Sequence, residues 1–192
     1  MEIFKGDALD LLKDFPEEEF DLVATDPPYA FGGSGDEHAI SATVAIVLRE
    51  TARRLRRGCW MVVFAASSWR SMSYMVEAVR GIVEPVRVGT WCKPSSSTKV
   101  RTPGWNWASV SVIAFRKGKS DISGVEDPGL DHIEAPIVRN GRRAEIPSEV
   151  AEWAVRPFVL NGGVMIDPFA GSGALVKAAE KLSMRGYGFE KN

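Results

Sequence analysis

Short apolar runs alternate with amphipathic stretches along most of this chain, and that alternation sets the expected fold. Phe20 to Thr25 is apolar enough for a strand and stops at Asp26-Pro27-Pro28. Residues 41–57 place Val44, Val47, Leu48 and Leu55 on one face of a helix, with Gly58 as its stop. Cys59 to Ala66 reads as a buried strand and Ser68 to Arg80 as a second helix. Val86 to Cys92 and Val110 to Phe115 read as two further strands joined by the loop Lys93 to Trp107. Lys117 to Arg143 mixes Gly, Asp, Pro and scattered charge without a period, so it reads as an irregular insertion (117–143) and not a second domain. Pro147 to Val159 then reads as a helix opened by its proline. Val164 to Ile166 is a short strand, Ala174 to Leu182 a helix, and Gly186 to Glu190 a final strand.

Strands alternating with helices imply a mostly parallel α/β sheet covered on both faces. Ligands of such sheets bind outside the carboxyl ends of the strands, where strand order reverses. Asp26 and Asp167 each stand at the carboxyl end of an apolar run, so they are expected to face one cleft from opposite parts of the sequence.

Composition narrows the class. The 192 residues suit one domain, 1–192, with a real core. Hydrophobic content of 45% and charged content of 26% are those of a soluble globular protein. No apolar run approaches the roughly 20 residues that span a bilayer, and the N-terminus lacks a secretory pattern. A cytoplasmic protein, prokaryotic or phage-encoded, is expected. Cys59 and Cys92 read as reduced core residues, and His38 and His132 are too few for a zinc cluster, so no metal is expected. The net charge of −1 argues against a globally basic surface but leaves room for one basic face, because Arg49 to Arg143 holds most of the cations.

Two segments carry chemistry. Asp167-Pro168-Phe169-Ala170-Gly171-Ser172-Gly173 follows a strand and opens a helix, and its glycines let the backbone turn tightly and a ligand approach it. It lacks the Lys-Ser/Thr ending of a phosphate loop. The next strand ends at Glu190, a carboxylate able to accept both hydroxyls of a ribose. This arrangement fits an adenosine moiety. Asp26-Pro27-Pro28-Tyr29 places a carboxylate, a rigid turn and an aromatic ring together. An exocyclic amine on a base is a poor nucleophile because its lone pair is delocalised into the ring. The Asp26 carboxylate and the Pro27 carbonyl can accept its two N–H groups and localise that lone pair, while Tyr29 stacks on the ring. A base in a duplex must be flipped out to reach such a site, and Phe31 to Gly35 is glycine-rich enough to move for it.

These residues together resemble the amino methyltransferases that modify adenine N6 or cytosine N4 in DNA with S-adenosyl-L-methionine. Gly6-Asp7-Ala8-Leu9, then Asp21-Leu22-Val23 leading into Asp26-Pro27-Pro28-Tyr29, is similar to the start of the beta subgroup, where the catalytic motif precedes the cofactor motif. Ile166 to Gly173 matches the cofactor motif, and Gly188-Phe189-Glu190 resembles the acidic strand end after it. The resemblance implies a Rossmann-like seven-stranded sheet, mostly parallel with one reversed hairpin strand, for which Val110 to Phe115 is the candidate. It implies that Asp26, Pro27, Pro28 and Tyr29 hold the target base. Phe169, Gly171, Ser172 and Gly173 would line the cofactor pocket, with Asp167 near the methionine part and Glu190 on the ribose. Asp7 resembles the acid near the cofactor adenine, and equally reads as a helix N-cap. Where the family has Lys-Pro before the cofactor strand, this chain has Ile146-Pro147-Ser148. Ser148 and Arg143 are the remaining candidates for the cofactor carboxylate. The short insertion stands in place of a target-recognition region.

Double-stranded DNA is the expected partner, and a homodimer is plausible for so small a chain. Arg49, Arg53 and Arg56 recur on one helical face, with Arg56 and Arg57 placed to end a helix dipole. Lys93, Lys99 and Arg101, with Trp105 and Trp107, form a loop at a strand's carboxyl end, and Arg139, Arg142 and Arg143 form a third basic cluster. Asp as first residue of the tetrapeptide favours adenine, since cytosine-N4 relatives more often begin with Ser. Cytosine N4, an RNA or protein amide, and a non-catalytic cofactor-binding subunit are the alternatives.

Overall fold

β2 (Phe20–Thr25) is buried at every position, as a strand covered on both faces must be. It pairs in parallel with β7 (Val164–Asp167) on one side and with β3 (Leu55–Ala66) on the other. The structure, a computed structural model, describes residues 2–28, 35–94, 105–119, 129–138 and 145–191, and of 35–40 the backbone alone. The remaining strands are β1 (Glu2–Lys5), β4 (Glu84–Cys92), β5 (Ser109–Arg116), β6 (His132–Glu134) and β8 (Arg185–Glu190). Their order is β1-β8-β7-β2-β3-β5-β4-β6. β5 runs antiparallel to both β3 and β4, and every other pairing is parallel. It is the reversed strand expected at Val110 to Phe115.

The two faces of the sheet are covered by different helices. α1 (Ala8–Leu11), α2 (Gly35–Arg54) and α3 (Trp69–Ala78) pack on the face that carries Val23, Met61, Val63, Ile113 and Ile166. α4 (Ser148–Val155) and α5 (Ala174–Lys181) cover the other, which carries Leu22, Ala24, Val62, Phe64, Val112 and Met165. Neighbouring residues of one strand serve opposite cores, the period of two that a pleated strand imposes. Among the described residues no helix is long and apolar enough to cross a membrane.

Three expectations need correction. The helix after the tetrapeptide ends at Arg54, and Gly58 does not stop it, because Leu55 to Gly58 already belong to β3. Leu55 pairs with Phe20, the register then shifts before Leu22, and Gly58, at φ 83°, donates its amide to Lys117 O at 2.7 Å. Gly58 therefore serves a strand irregularity. Arg49, Arg53 and Arg56 do not form one helical face either. Arg49 donates to Arg80 O at 3.3 Å and Arg53 pairs with Glu50 at 3.1 Å. Arg56 sits in β3 and pairs with Asp21, a buried carboxylate that also accepts the Val164 amide at 2.8 Å. A buried charge requires such partners.

The third correction concerns 117–143, which is not irregular throughout. β6 extends the sheet beyond β4, pairing with Thr90 to Cys92, and makes eight strands among the described residues where seven were expected. Two indoles fasten this segment: Trp91 Nε1 donates to Ala135 O and Trp153 Nε1 to Leu130 O, each at 2.8 Å.

Candidate active site

The chain leaves β2 toward β3 on one side of the sheet and reaches β8 from β7 on the other. The β2–β7 junction is therefore the point where strand order reverses, and a crevice opens there. Asp26 follows the last residue of β2, and Asp167 is the last residue of β7. Asp26 is half-buried, Pro27 buried and Pro28 exposed.

Thr25 Oγ1 donates to Asp167 Oδ1 at 2.6 Å, which ties the two strand ends together. The same oxygen accepts the Phe169 amide at 3.0 Å and holds the start of the turn. Asp167 is fully buried, and burial pushes its carboxyl up to about 7 against the lowering effect of these hydrogen bonds, with Asp26 and Glu190 raising it further.

The turn itself is built from backbone. Ala170 N donates to Phe189 O at 2.9 Å and Gly173 N to Ala170 O at 2.7 Å. Gly173 is left-handed (φ 77°) at the N-cap of α5, a conformation that favours glycine. Gly188 of β8 lies so near the turn that an added Cβ would meet Ala170 Cβ at 2.7 Å. Glu190 Oε2 accepts the Gly171 amide at 2.8 Å, and Glu190 O accepts the Gly6 amide at 3.0 Å.

Asp7 is the N-cap of α1, one of its two readings. Its Oδ1 caps α1 by accepting Leu9 N at 3.0 Å, and its Oδ2 accepts Lys191 Nζ at 3.0 Å. The Lys191 hydrogen bond, then that from Leu9, holds its carboxyl below the ordinary range. It also stands in the wall of the crevice.

That crevice is a cavity of about 830 Å³. Asp26, Pro27 and Pro28 line it from β2, and Phe169, Gly171 and Glu190 from the turn and β8. Such a volume holds a drug-sized or nucleoside-sized ligand. Asp167, Ser172 and Gly173 stand behind the wall and shape the turn. Lys93 lies in the wall too, with its ammonium 5.7 Å from the centre of the Trp91 ring. Trp105 is 95% exposed and stands apart from the cavity. Ser148 is exposed at the start of α4. Tyr29, Phe31 to Ser34, Lys99, Arg101, Arg139, Arg142 and Arg143 lie outside the described residues.

Sequence reasoning does not find the apolar wall of Phe64, Trp91, Val110, Ile137 and Ile146, nor Lys191. Trp91, two residues before a lysine at a strand's carboxyl end, is the available signal. Among the described residues no group of three His, Cys, Asp or Glu is placed to hold a metal.

The fold recurs in solved structures. TTHA0409 of Thermus thermophilus, complexed with S-adenosyl-L-methionine, superposes with a TM-score of 0.76 at 24% identity, over 100% of this chain and 89% of that one. PvuII DNA methyltransferase, described as cytosine-N4-specific, gives 0.76 at 17% identity, over 99% and 81%. Among curated proteins, the type II methyltransferase M.ScaI of Streptomyces caespitosus is 26% identical over 243 aligned positions, covering 98% of this chain and 76% of its own. The N6/N4 methyltransferase model, described as DNA methylase, matches residues 91–192, which take in Trp91, Lys93, the glycine turn and Glu190. With more than half of its length matched by that model, the chain belongs to the DNA amino-methyltransferases, the family of N6-adenine and N4-cytosine enzymes.

Proposed function

We propose that this protein methylates the exocyclic N6 of adenine in double-stranded DNA, using S-adenosyl-L-methionine and a target base flipped into the cavity. The observation that carries the reading is the shared cavity, in which Asp26-Pro27-Pro28 and the turn after β7 face each other at the switch point. The residues present suit the cofactor. Phe169 and Phe189 offer apolar surface, and Asp7 and Glu190 offer carboxylates at the cavity wall. Glu190 would take the ribose hydroxyls, Asp7 the adenine end, and Gly171 leaves open space where a side chain would intrude.

When bound, the cofactor supplies an electrophilic methyl group on a sulfonium. The chain's own part is to aim the amine. Asp26 accepts one N–H and the Pro27 carbonyl the other, so that the lone pair points toward the methyl. As the methyl passes from sulfur to nitrogen, leaving a neutral thioether, positive charge develops on the nitrogen, and the Asp26 carboxylate stabilises it before the surplus proton is lost to water. The adenine choice rests on Asp in the first position of the tetrapeptide. Cytosine N4 is the second reading, favoured by the structural likeness to the PvuII enzyme.

Transfer of labelled methyl to unmodified duplex DNA, followed by nucleoside mass spectrometry, tests both. N6-methyladenine is expected, N4-methylcytosine would move the target, and no modified nucleoside would overturn the reading. Asp26→Ala should lower the rate by at least about 100-fold, the scale of losing a positioned proton acceptor, with cofactor affinity little changed.

A further inference from the structure

The sequence groups Lys93 with the cations expected to meet DNA phosphate, but it stands in the wall of the same cavity as Asp26. Two features hold it there. Its amide donates to Ala108 O at 2.7 Å, which extends the β4–β5 ladder past Cys92. Its ammonium lies 5.7 Å from the centre of the Trp91 ring, a cation–π distance, and the Trp91 indole is anchored on Ala135 O. β4 runs parallel to β2, so Lys93 and Asp26 leave the sheet on the same side.

The charges that line or back this space come from five places among the described residues. Asp26 follows β2, Asp167 ends β7 and Glu190 ends β8. Asp7 and Lys191 form a pair at the far rim. Lys93 follows β4. Asp26 and Glu190 thus line the cavity with Asp167 buried behind them, and among the described residues Lys93 is the lining cation that Asp7 does not engage.

We propose that Lys93 is a positioning residue for methyl transfer, whose ammonium is the counter-charge that keeps Asp26 ionised beside Asp167 and Glu190. The inference rests on the proposed role of Asp26. A protonated Asp26 is a weaker acceptor for the amine N–H and cannot offset the positive charge that develops on the nitrogen, so the counter-charge sets the pH range over which transfer proceeds. Burial pulls the Lys93 ammonium below its ordinary value, and the Asp26 carboxylate opposes that pull, so each charge supports the other. As pH rises and Lys93 loses its proton, its contribution fades.

The test compares wild type, Lys93→Met and Lys93→Arg. Single-turnover methyl transfer to DNA is followed from pH 5 to 9. A unit charge at cavity distance is worth about one pH unit at an effective dielectric near 20. The acid limb of Lys93→Met should therefore move up by about one unit, a roughly tenfold rate loss on that limb. The loss should shrink toward alkaline pH, and Lys93→Arg should restore most of the limb. A second readout needs no turnover: the carboxyl ¹³C resonance of Asp26, assigned with Asp26→Asn, should titrate higher in Lys93→Met by the same amount. Thermal melting checks that each variant is folded, and Lys93→Gln replaces Lys93→Met if that variant is not.

Coincident titration of Asp26 in wild type and variant overturns the inference. So does an unmoved limb with a raised DNA KM and a salt dependence shallower by about one phosphate contact, which would return Lys93 to the phosphate backbone. Failure of wild type to modify DNA would overturn the proposed function, while the Asp26 titration would still decide the role of Lys93.

Discussion

Asp167 is under strong electrostatic tension. Its single oxygen Oδ1 accepts from Thr25 and from Phe169, yet full burial still lifts the carboxyl to about 7 from an unfolded value near 3.8. The sign follows from proton binding. Between those values the folded state holds a proton that the unfolded state has lost, so stability is greatest below about pH 4 for this group and declines as pH rises through 7. The full swing is roughly 4 kcal/mol, an upper scale for an isolated group. Asp167→Asn keeps an oxygen for Thr25 and Phe169 and replaces the proton by an amide that does not titrate. Its melting temperature should gain on wild type steadily from pH 4 to 7, then hold a constant lead. Parallel pH profiles for the two proteins would show that Asp167 ionises without cost. Asp26 and Glu190 nearby add to the upward push on its carboxyl.

At the scale of elements, the turn after β7 depends on contact with β8. A Cβ at Gly188 would meet Ala170 Cβ at 2.7 Å and Val176 Cγ2 at 3.1 Å, neither of which can swing away as a flexible chain end does. Gly188→Ala should cost roughly 1–3 kcal/mol, the range for overpacking, and should weaken cofactor binding because the turn must shift. Urea denaturation and calorimetric titration with S-adenosyl-L-methionine read the two effects, and a stable variant with unaltered affinity would refute the tight-contact account. Which elements are legible in the sequence follows from where their determinants lie. β2, β5, β7 and the turn carry local apolar runs and glycines, and the sequence places them to within a residue or two. The end of α2 is hidden because Leu55 keeps the helical phase and Gly58 looks like a stop, whereas Asp21, the partner of Arg56, is distant in sequence. β1 and β6 are short edge strands, mostly exposed, and only their neighbours define them. At the site, the glycine turn after β7 and the place of Asp26 at the end of β2 are legible. The position of Lys93 in the cavity is not, because it depends on Trp91 and on the β4–β5 ladder.

For the whole molecule, the cavity is assembled from both ends of the sequence. Gly6 and Asp7 follow β1, Glu190 and Lys191 close β8, and the Gly6–Glu190 and Asp7–Lys191 bonds, each 3.0 Å, join them across the rim. β1 pairs with β8 alone and buries no residue fully, so it is the part of the sheet that should open most easily. A ligand resting on Asp7 and Glu190 binds only when β1 is docked, so its free energy opposes both local fraying and global unfolding. S-adenosyl-L-methionine at 100 times its Kd adds about 2.7 kcal/mol, which for a chain of this size means a rise of roughly 5–10 °C in Tm. Hydrogen exchange should slow most in β1 and at the end of β8, more than in the buried central strands β2 and β3. Scanning calorimetry and exchange mass spectrometry with and without cofactor measure the pair. A Tm rise with no added protection in β1 would place the ligand away from the Asp7–Glu190 rim, and the assignment of that rim to the adenosine part would then fail.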